Sequence, residues 1–203
     1  MRPPLRCVAL TVLPMTVVMS LAGCRIEKVR SADTTTVGSE PGPGINACGI
    51  TPGSRVSEDG IGILRIGTPL DAVRASCAII SEHIGANDTP LVARVDLGLD
   101  TATAEFVGGI LRRITLHHQA YRTADSLGVG TRITRLLNLR SVTGLTERNR
   151  LFAVSPAYCG LRFMLVDPAP RSSSAPNGRG ALRRLAGETQ VRELEIVGCT
   201  KRR

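Results

Sequence analysis

Few side chains in this 203-residue sequence are suited to acid-base or metal chemistry. Its three histidines are His83, His117 and His118. His117 and His118 fall in a strand-like segment, where adjacent side chains point to opposite faces, so they cannot readily share a metal ion or a nucleophile. No GxSxG, HExxH or SxxK motif occurs. The histidines therefore predict neither a metal centre nor a nucleophilic active site.

Paired carboxylates offer the second route to catalysis. Glu58 and Asp59 lie in a turn that precedes a glycine, and Glu193 and Glu195 alternate with apolar residues. Such alternation is typical of a strand with one face in water, so we expect Glu193 and Glu195 to be solvated. Neither pair matches a known catalytic arrangement, and we predict no catalytic residue and no cofactor.

The amino terminus has the anatomy of a secretory signal peptide. Arg2 and Arg6 precede an apolar stretch, residues 8–22, which is 15 residues long and contains Pro14. A membrane-spanning helix needs about 20 apolar residues, so an uncleaved anchor is the weaker interpretation. We expect residues 1–23 to be removed on export.

Leu21-Ala22-Gly23-Cys24 resembles the lipobox of bacterial lipoproteins. The resemblance implies cleavage before Cys24, diacylation of its thiol and attachment to a membrane through lipid; an ordinary cleavage site in front of a cysteine is the alternative. Two or three acyl chains anchor a protein stably where one does not. Arg25, rather than an aspartate, follows Cys24, which by the same resemblance implies an outer membrane, facing the periplasm.

Four cysteines then remain, Cys48, Cys77, Cys159 and Cys199. In an oxidising compartment they predict two disulfides, for which three pairings exist. The segments "YCGLRFMLV" and "VRELEIVGC" both resemble strands, and antiparallel pairing would bring Cys159 to Cys199. Cys48 would then pair with Cys77. The long spacings, without a CxxC or CxxH, argue against zinc.

Residues 25–46 collect Thr, Ser, Gly and Pro without periodicity. With Cys24 they form a predicted tether, residues 24–46, whose root-mean-square reach is on the order of 25 Å. The remaining chain, residues 47–203, is long enough for one domain or a compact pair of half-domains.

Two segments of this domain match one another: "LRIGTPLDAVRAS" from Leu64 and "LGVGTRITRLLNL" from Leu127. Each has a Gly-Thr step followed by apolar residues at helical spacing. Thr68 and Thr131 are predicted helix N-caps, and Pro69 suits a first helical position. The match predicts a duplication, with units at about residues 58–120 and 121–200.

Each predicted helix is followed by three strand-like segments. They cover residues 91–99, 101–107 and 110–117 in the first unit, and 150–156, 159–166 and 191–198 in the second. Gly108-Gly109 signals a hairpin, and aligning Phe106 with Ile110 would favour a three-residue turn. Residues 181–187 are predicted to form a short helix. We predict an α+β fold: two tandem units, each of one helix and three strands, in an antiparallel sheet with helices on one face.

This arrangement is similar to the β-lactamase inhibitory protein and to the small lipoproteins of outer-membrane assembly. Their units pair a G-(M/T)-x-x-x-x-V helix start with a small antiparallel sheet. The match rests on Gly67, Thr68 and Val73 and, less closely, on residues 130–136. Those families act by protein recognition, so the resemblance implies recognition for this chain.

The formal net charge is +9, falling to +7 once Arg2 and Arg6 leave with the signal peptide. A basic exported protein favours anionic envelope polymers or lipids over nucleic acid as partners. The candidate contact residues are Arg171, Arg179, Arg183 and Arg184. Together these features predict a membrane-anchored cell-envelope lipoprotein with a recognition or structural role, partnered by an envelope protein or an anionic polymer. An extracytoplasmic hydrolase built on Glu58, Asp59 or a histidine, and a solute-binding accessory lipoprotein, remain the alternatives.

Overall fold

The computed structural model of the protein describes residues 48–84, 90–166 and 177–199. Cys24, Arg171, the signal peptide and the tether lie outside these residues. The described chain is predominantly antiparallel sheet with three short helices and one 3₁₀ turn, Pro156–Tyr158. The elements are Gly60–Ile61 (β1), Leu64–Arg65 (β2), Leu70–Ser76 (α1), Ile79–Ile84 (β3), Leu91–Asp96 (β4), Thr101–Val107 (β5), Ile110–Leu116 (β6), Ile133–Leu137 (α2), Thr143–Glu147 (β7), Arg150–Val154 (β8), Leu161–Val166 (β9), Arg179–Arg183 (α3) and Glu193–Ile196 (β10).

Eight strands form one sheet in the order β3-β4-β5-β6-β10-β9-β8-β7, and β1 pairs with β2 separately. All pairings between these ten strands are antiparallel. The sequence prediction of three strands after each helix is wrong, because β3 and β7 add a fourth strand to each half. With helices of only five to seven residues, the chain meets the α+β prediction loosely.

The hydrophobic core lies between one face of this sheet and the helices. Val73 of α1, Leu136 of α2 and Leu182 of α3 are buried in the same cluster as Ala104, Phe163 and other inward residues of the strands. Alternation along β5 and the apolar positions of the helices explain this placement, because each buries its apolar side against the other. The opposite face of the sheet is left to carry polar side chains.

The two matching Gly-Thr segments make the same set of backbone hydrogen bonds. In the first, Gly67 N donates to Leu111 O at 2.8 Å and Leu111 N donates to Thr68 O at 2.9 Å. In the second, Gly130 N donates to Val191 O at 2.8 Å and Val191 N donates to Thr131 O at 2.9 Å. Each segment is therefore fixed by the same reciprocal pair of backbone hydrogen bonds before its helix begins.

The predicted threonine caps are wrong by one residue. The N-cap positions are Pro69 in α1 and Arg132 in α2, and neither has a side-chain cap hydrogen bond. The first helical amides are bound by the chain instead: Leu70 N donates to Gly109 O, and the amide of the first α2 residue donates to Thr189 O, both at 2.8 Å. Thr131 is buried in the preceding turn, where its hydroxyl accepts from Gly128 N at 3.0 Å.

The β5–β6 hairpin has a two-residue turn. Val107 lies opposite Ile110, so Phe106 pairs with Leu111 and the three-residue alternative is wrong. Gly108 and Gly109 have φ values of +59° and +73°, the left-handed pair that a tight hairpin turn requires.

Within the described residues, no helix is long and apolar enough to span a membrane.

Candidate functional site

The two predicted disulfides are present. Cys48 is joined to Cys77, and Cys159 to Cys199, with Cα–Cα distances of 4.4 and 5.2 Å. The second pairing follows from the predicted strand geometry, because β9 and β10 are antiparallel with Leu161 opposite Ile196. Cys48 and Cys77 are buried, whereas the second disulfide is partly exposed.

Glu58 lies against the second disulfide. Its Oε2 is 3.6 Å from Cys159 Sγ and 3.1 Å from Cys199 Sγ. These three donor atoms lie within 4.8 Å of one another, a spacing that suits a metal ion. The two sulfurs are bonded to each other, however, and only thiolates ligate metals strongly, so the cluster is no ligand set in this oxidation state.

A backbone contact holds Glu58 in place. Gly160 has φ of +81°, and a Cβ there would lie 2.4 Å from Glu58 O and 2.7 Å from the Gly198 carbonyl carbon. Only glycine fits this approach. The same turn is braced by Arg65, which donates to both oxygens of Asp59 at 2.9 and 2.8 Å. Glu58 therefore contacts the second disulfide while Asp59 pairs with Arg65, so the two carboxylates are held by different structural contacts.

The sheet face opposite the helices carries a network of charged side chains, which we call the polar face. Arg150 Nη1 donates to Glu195 Oε1 at 3.0 Å, and its Nη2 donates to Glu193. Arg162 donates to Glu147. With all members ionised the network has one more carboxylate than guanidinium group. Its members are Glu105, Arg113, Glu147, Arg150, Arg162, Glu193 and Glu195.

Arg113 shows that the sheet curves over this face. Its guanidinium lies 3.5 Å from Glu105 Oε1, 3.8 Å from Glu147 Oε1 and 3.9 Å from Glu195 Oε2. Arg113 belongs to β6 and Glu147 to β7, which are four steps apart in the sheet order. Four steps span about 19 Å in a flat sheet. Strong twist and curvature must therefore bring the two ends of the polar face together.

Two apolar side chains lie beneath the charges. Phe152 and Met164 are buried although they belong to this face and not to the core cluster. The Arg150 guanidinium carbon lies 5.3 Å from the centre of the Phe152 ring, a cation–π distance. The polar face thus has its own small apolar layer, shielded by arginine side chains.

The expectation that Glu195 is solvated is wrong. Glu195 is 2% exposed, and burial raises the pKa of its carboxyl, while nearby Arg113, Arg150 and Arg162 act in the opposite direction. Alternation of polar and apolar residues along a strand predicts a solvent-exposed face only if nothing else in the fold covers that face. Here the curvature of the sheet covers it.

One histidine approaches this network. His117 Nδ1 lies 3.8 Å from Glu193 Oε1, beyond hydrogen-bond distance, and Glu193 already accepts from Arg150. The His118 side chain stabilises a local turn, because its Nδ1 accepts a hydrogen bond from Ala120 N at 3.1 Å. At this distance the His117 and Glu193 side chains make no direct hydrogen bond, so they are not arranged as an acid-base pair.

A groove of about 510 Å³ opens beside the second disulfide. Its lining includes Thr143, Val154, Tyr158 and Arg162. The Tyr158 hydroxyl donates to Asp125, and this hydrogen bond, with burial, raises the pKa of Tyr158 to about 12. Tyr158 is therefore protonated at neutral pH and acts as a donor.

Exposed arginines gather on two neighbouring helices. Arg179, Arg183 and Arg184 are exposed on or directly after α3, as are Arg132 and Arg135 at α2. Arg179 Nη2 donates to Leu137 O at 2.7 Å, which joins the helices. We call these five residues the basic face. Sequence analysis singled out Arg179, Arg183 and Arg184, together with Arg171, which lies outside the described residues. It missed Arg132 and Arg135, for which the exposed side of the amphipathic α2 helix was the available signal.

Comparison with known proteins gives a fold and no more. No family model matches the chain, and no curated protein matches it. Among solved structures it is similar to the crystal structure of the uncharacterized protein yfeY from Escherichia coli, with a TM-score of 0.51 and 13% sequence identity over 70% of this chain and 99% of that chain. At that identity the likeness concerns the fold alone.

Proposed function

We propose that this chain is a lipid-anchored protein of the bacterial cell envelope, facing the periplasm from the outer membrane, and that its folded domain acts by binding. The observation that carries the proposal is Leu21-Ala22-Gly23-Cys24 at the end of an apolar stretch with basic residues before it. Two disulfides in the folded domain suit an exported, oxidising location.

The basic face is the proposed binding surface, and its partner is anionic: acidic lipid head groups or a polyanionic envelope polymer. Its five arginines are exposed residues on or directly beside two short helices. Near an anionic surface each arginine contributes about 1 kcal/mol of attraction, which falls off within a Debye length. The composition of residues 25–46 predicts a tether, and a reach on the order of 25 Å would let the domain meet surfaces near its anchor. Arg171 remains a candidate contributor from the sequence.

We further propose that the domain is a duplication of a unit with one helix and four strands. The equal hydrogen-bond sets at Gly67-Thr68 and Gly130-Thr131 support it. The sheet order supports it too, because each half contributes four consecutive positions and the two last strands, β6 and β10, meet at the centre. The similarity to the β-lactamase inhibitory protein type of repeat makes recognition the proposed role.

Binding to anionic vesicles tests the proposed surface. The probe is Cys24→Ser protein expressed without residues 1–23 and purified with both disulfides formed, so that it carries the mature sequence without lipid; it is added to vesicles of phosphatidylglycerol and phosphatidylcholine. We expect binding at 50 mM salt to weaken steeply by 300 mM, and Arg132→Gln/Arg183→Gln to weaken it at least about tenfold. Arg112→Gln, an exposed arginine of β6 outside the basic face, is the matched control. Binding that ignores salt, or an equal loss in the control, contradicts this role for the basic face.

A further inference from the structure

The eight-stranded sheet has two edges, and the chain treats them differently. At the β7 edge, Gly144 N donates to Gly178 O at 3.1 Å and Gly178 N donates back to Gly144 O at 2.8 Å. Thr146 N donates to Asn177 Oδ1 at 2.7 Å. Residues 177–178 thus cover this edge.

The β3 edge has no such cover among the described residues. β3 has β4 as its single neighbour in the sheet. An edge strand directs a row of backbone N–H and C=O groups away from the sheet, where they can pair with another extended chain. A groove of about 350 Å³, lined by Arg74, Cys77 and residues 79–82, runs beside the strand.

The same strand carries the two most exposed large apolar side chains of the described chain. Ile80 is 57% exposed and Ile84 is 79% exposed. A β-bulge interrupts pairing with β4 between Ile79 and Ser81, and the register is regular from Ser81 to Ile84. Unpaired backbone groups beside exposed isoleucines suit a binding partner that is itself an extended strand with apolar side chains.

We propose that the strand that pairs with β3 is β3 of a second copy of this chain, in antiparallel orientation about a two-fold axis at Glu82. In this register Ser81 of one copy faces His83 of the other, and Ile84 of one copy lies beside the bulged Ile80 of the other. The two exposed isoleucines of each copy then cover those of its partner. A two-fold interface requires such self-complementarity.

The charge at the axis is compensated within each copy. Glu82 would face its own counterpart, but Arg74 holds each carboxylate through two hydrogen bonds, Nε to Oε1 at 2.9 Å and Nη2 to Oε2 at 2.6 Å. Each copy thus brings an ion pair, and not a bare carboxylate, to the axis. Arg74 therefore removes the repulsion that would otherwise exclude this register.

The fold already uses this kind of junction internally. β6 and β10, the last strands of the two halves, pair antiparallel at the centre of the sheet with Thr115 opposite Glu195. Pairing of β3 with β3 of a second copy would join two sheets by the same kind of antiparallel strand contact. It depends on the fold and not on the lipid, although confinement to a membrane raises the effective concentration of a weakly pairing strand.

Site-directed cross-linking tests the register. Full-length Ser81→Cys and His83→Cys proteins, carrying different tags, are expressed together, and membranes are oxidised with copper phenanthroline. Residues directly opposite lie within disulfide reach, whereas Ser81 and its own counterpart would lie about 8 Å apart, beyond that reach. We expect cross-linked dimers in the mixture at no less than about five times the yield of either variant alone.

A second measurement avoids engineered cysteines. In sedimentation equilibrium of soluble Cys24→Ser protein, Ile84→Lys should weaken dimerisation at least about tenfold. Ile63→Lys, at an exposed isoleucine of the β1–β2 turn, should leave it unchanged. Equal cross-linking of Ser81→Cys alone, capture of a different protein, or a monomer at all concentrations overturns the proposal. Membrane fractionation of the same cells reports on lipid anchoring separately, so the two proposals fail independently.

Discussion

Replacing Gly160 with alanine should destabilise this domain more than the same substitution at a left-handed glycine that has open space around it. An alanine Cβ at this position would lie 2.4 Å from Glu58 O, 2.7 Å from the Gly198 carbonyl carbon and 2.9 Å from Cys199 N. All three neighbours are backbone atoms, so no side chain can rotate away. The β9 end, the Glu58 turn and the β10 end must separate to admit the methyl group.

The expected magnitude has two parts. A left-handed backbone costs alanine about 1–2 kcal/mol, of which about 0.4–1 kcal/mol is offset because alanine restricts the unfolded chain. Forcing extra volume into packed structure costs about 1–3 kcal/mol more. We therefore expect Gly160→Ala to lower the free energy of unfolding by about 2–4 kcal/mol.

Gly109→Ala is the matched control, because Gly109 has φ of +73° and nothing within 4 Å of its added Cβ. It should cost about 1 kcal/mol. The assay is urea unfolding with both disulfides oxidised, followed by far-UV circular dichroism because the chain has no tryptophan. If the two variants differ by less than about 0.5 kcal/mol, the close approach at Gly160 is wrong.

Two further predictions concern the polar face and the first disulfide. Burial raises the pKa of Glu195, so ionising this carboxyl in the folded state costs stability. The wild type should therefore lose stability relative to Glu195→Gln as pH rises above 4.5, the ordinary pKa of the group. Urea midpoints from pH 4 to 8 measure this difference, and a difference that shrinks with rising pH contradicts the prediction. Replacing both Cys48 and Cys77 with alanine removes a disulfide between residues 29 apart in the sequence. The double variant should lower the free energy of unfolding by about 3–4 kcal/mol. Urea unfolding checks the second prediction, and a loss under 1 kcal/mol would show that this link constrains the unfolded chain little.

Local signals in the sequence predicted the local features of the fold. Gly108-Gly109 specifies a hairpin because only glycine readily takes two left-handed conformations in succession. The positions of Cys159 and Cys199 at opposite ends of two strand-like segments fixed the disulfide pairing. The repeated Gly-Thr step marked equivalent places in the two halves.

The features that depend on distant parts of the chain were missed. β3, "IISEHI", has polar residues in its middle, and β7, "TGLTE", contains glycine, so neither has a clear strand pattern without its neighbour. Thr68 and Thr131 have the chemistry of N-caps, but the backbone carbonyls of Gly109 and Thr189 satisfy the first helical amides. The burial of Glu195 follows from the curvature of the whole sheet, which no short stretch encodes.

The mass of the amino-terminal peptide of the mature protein tests the central claim most directly. Protein purified from native membranes is digested and its first peptide is analysed by mass spectrometry. The account predicts a peptide that begins at Cys24 and carries a diacylglyceryl group on sulfur. A first peptide with a free thiol at Cys24, or one that still contains residues of the leader, would contradict it.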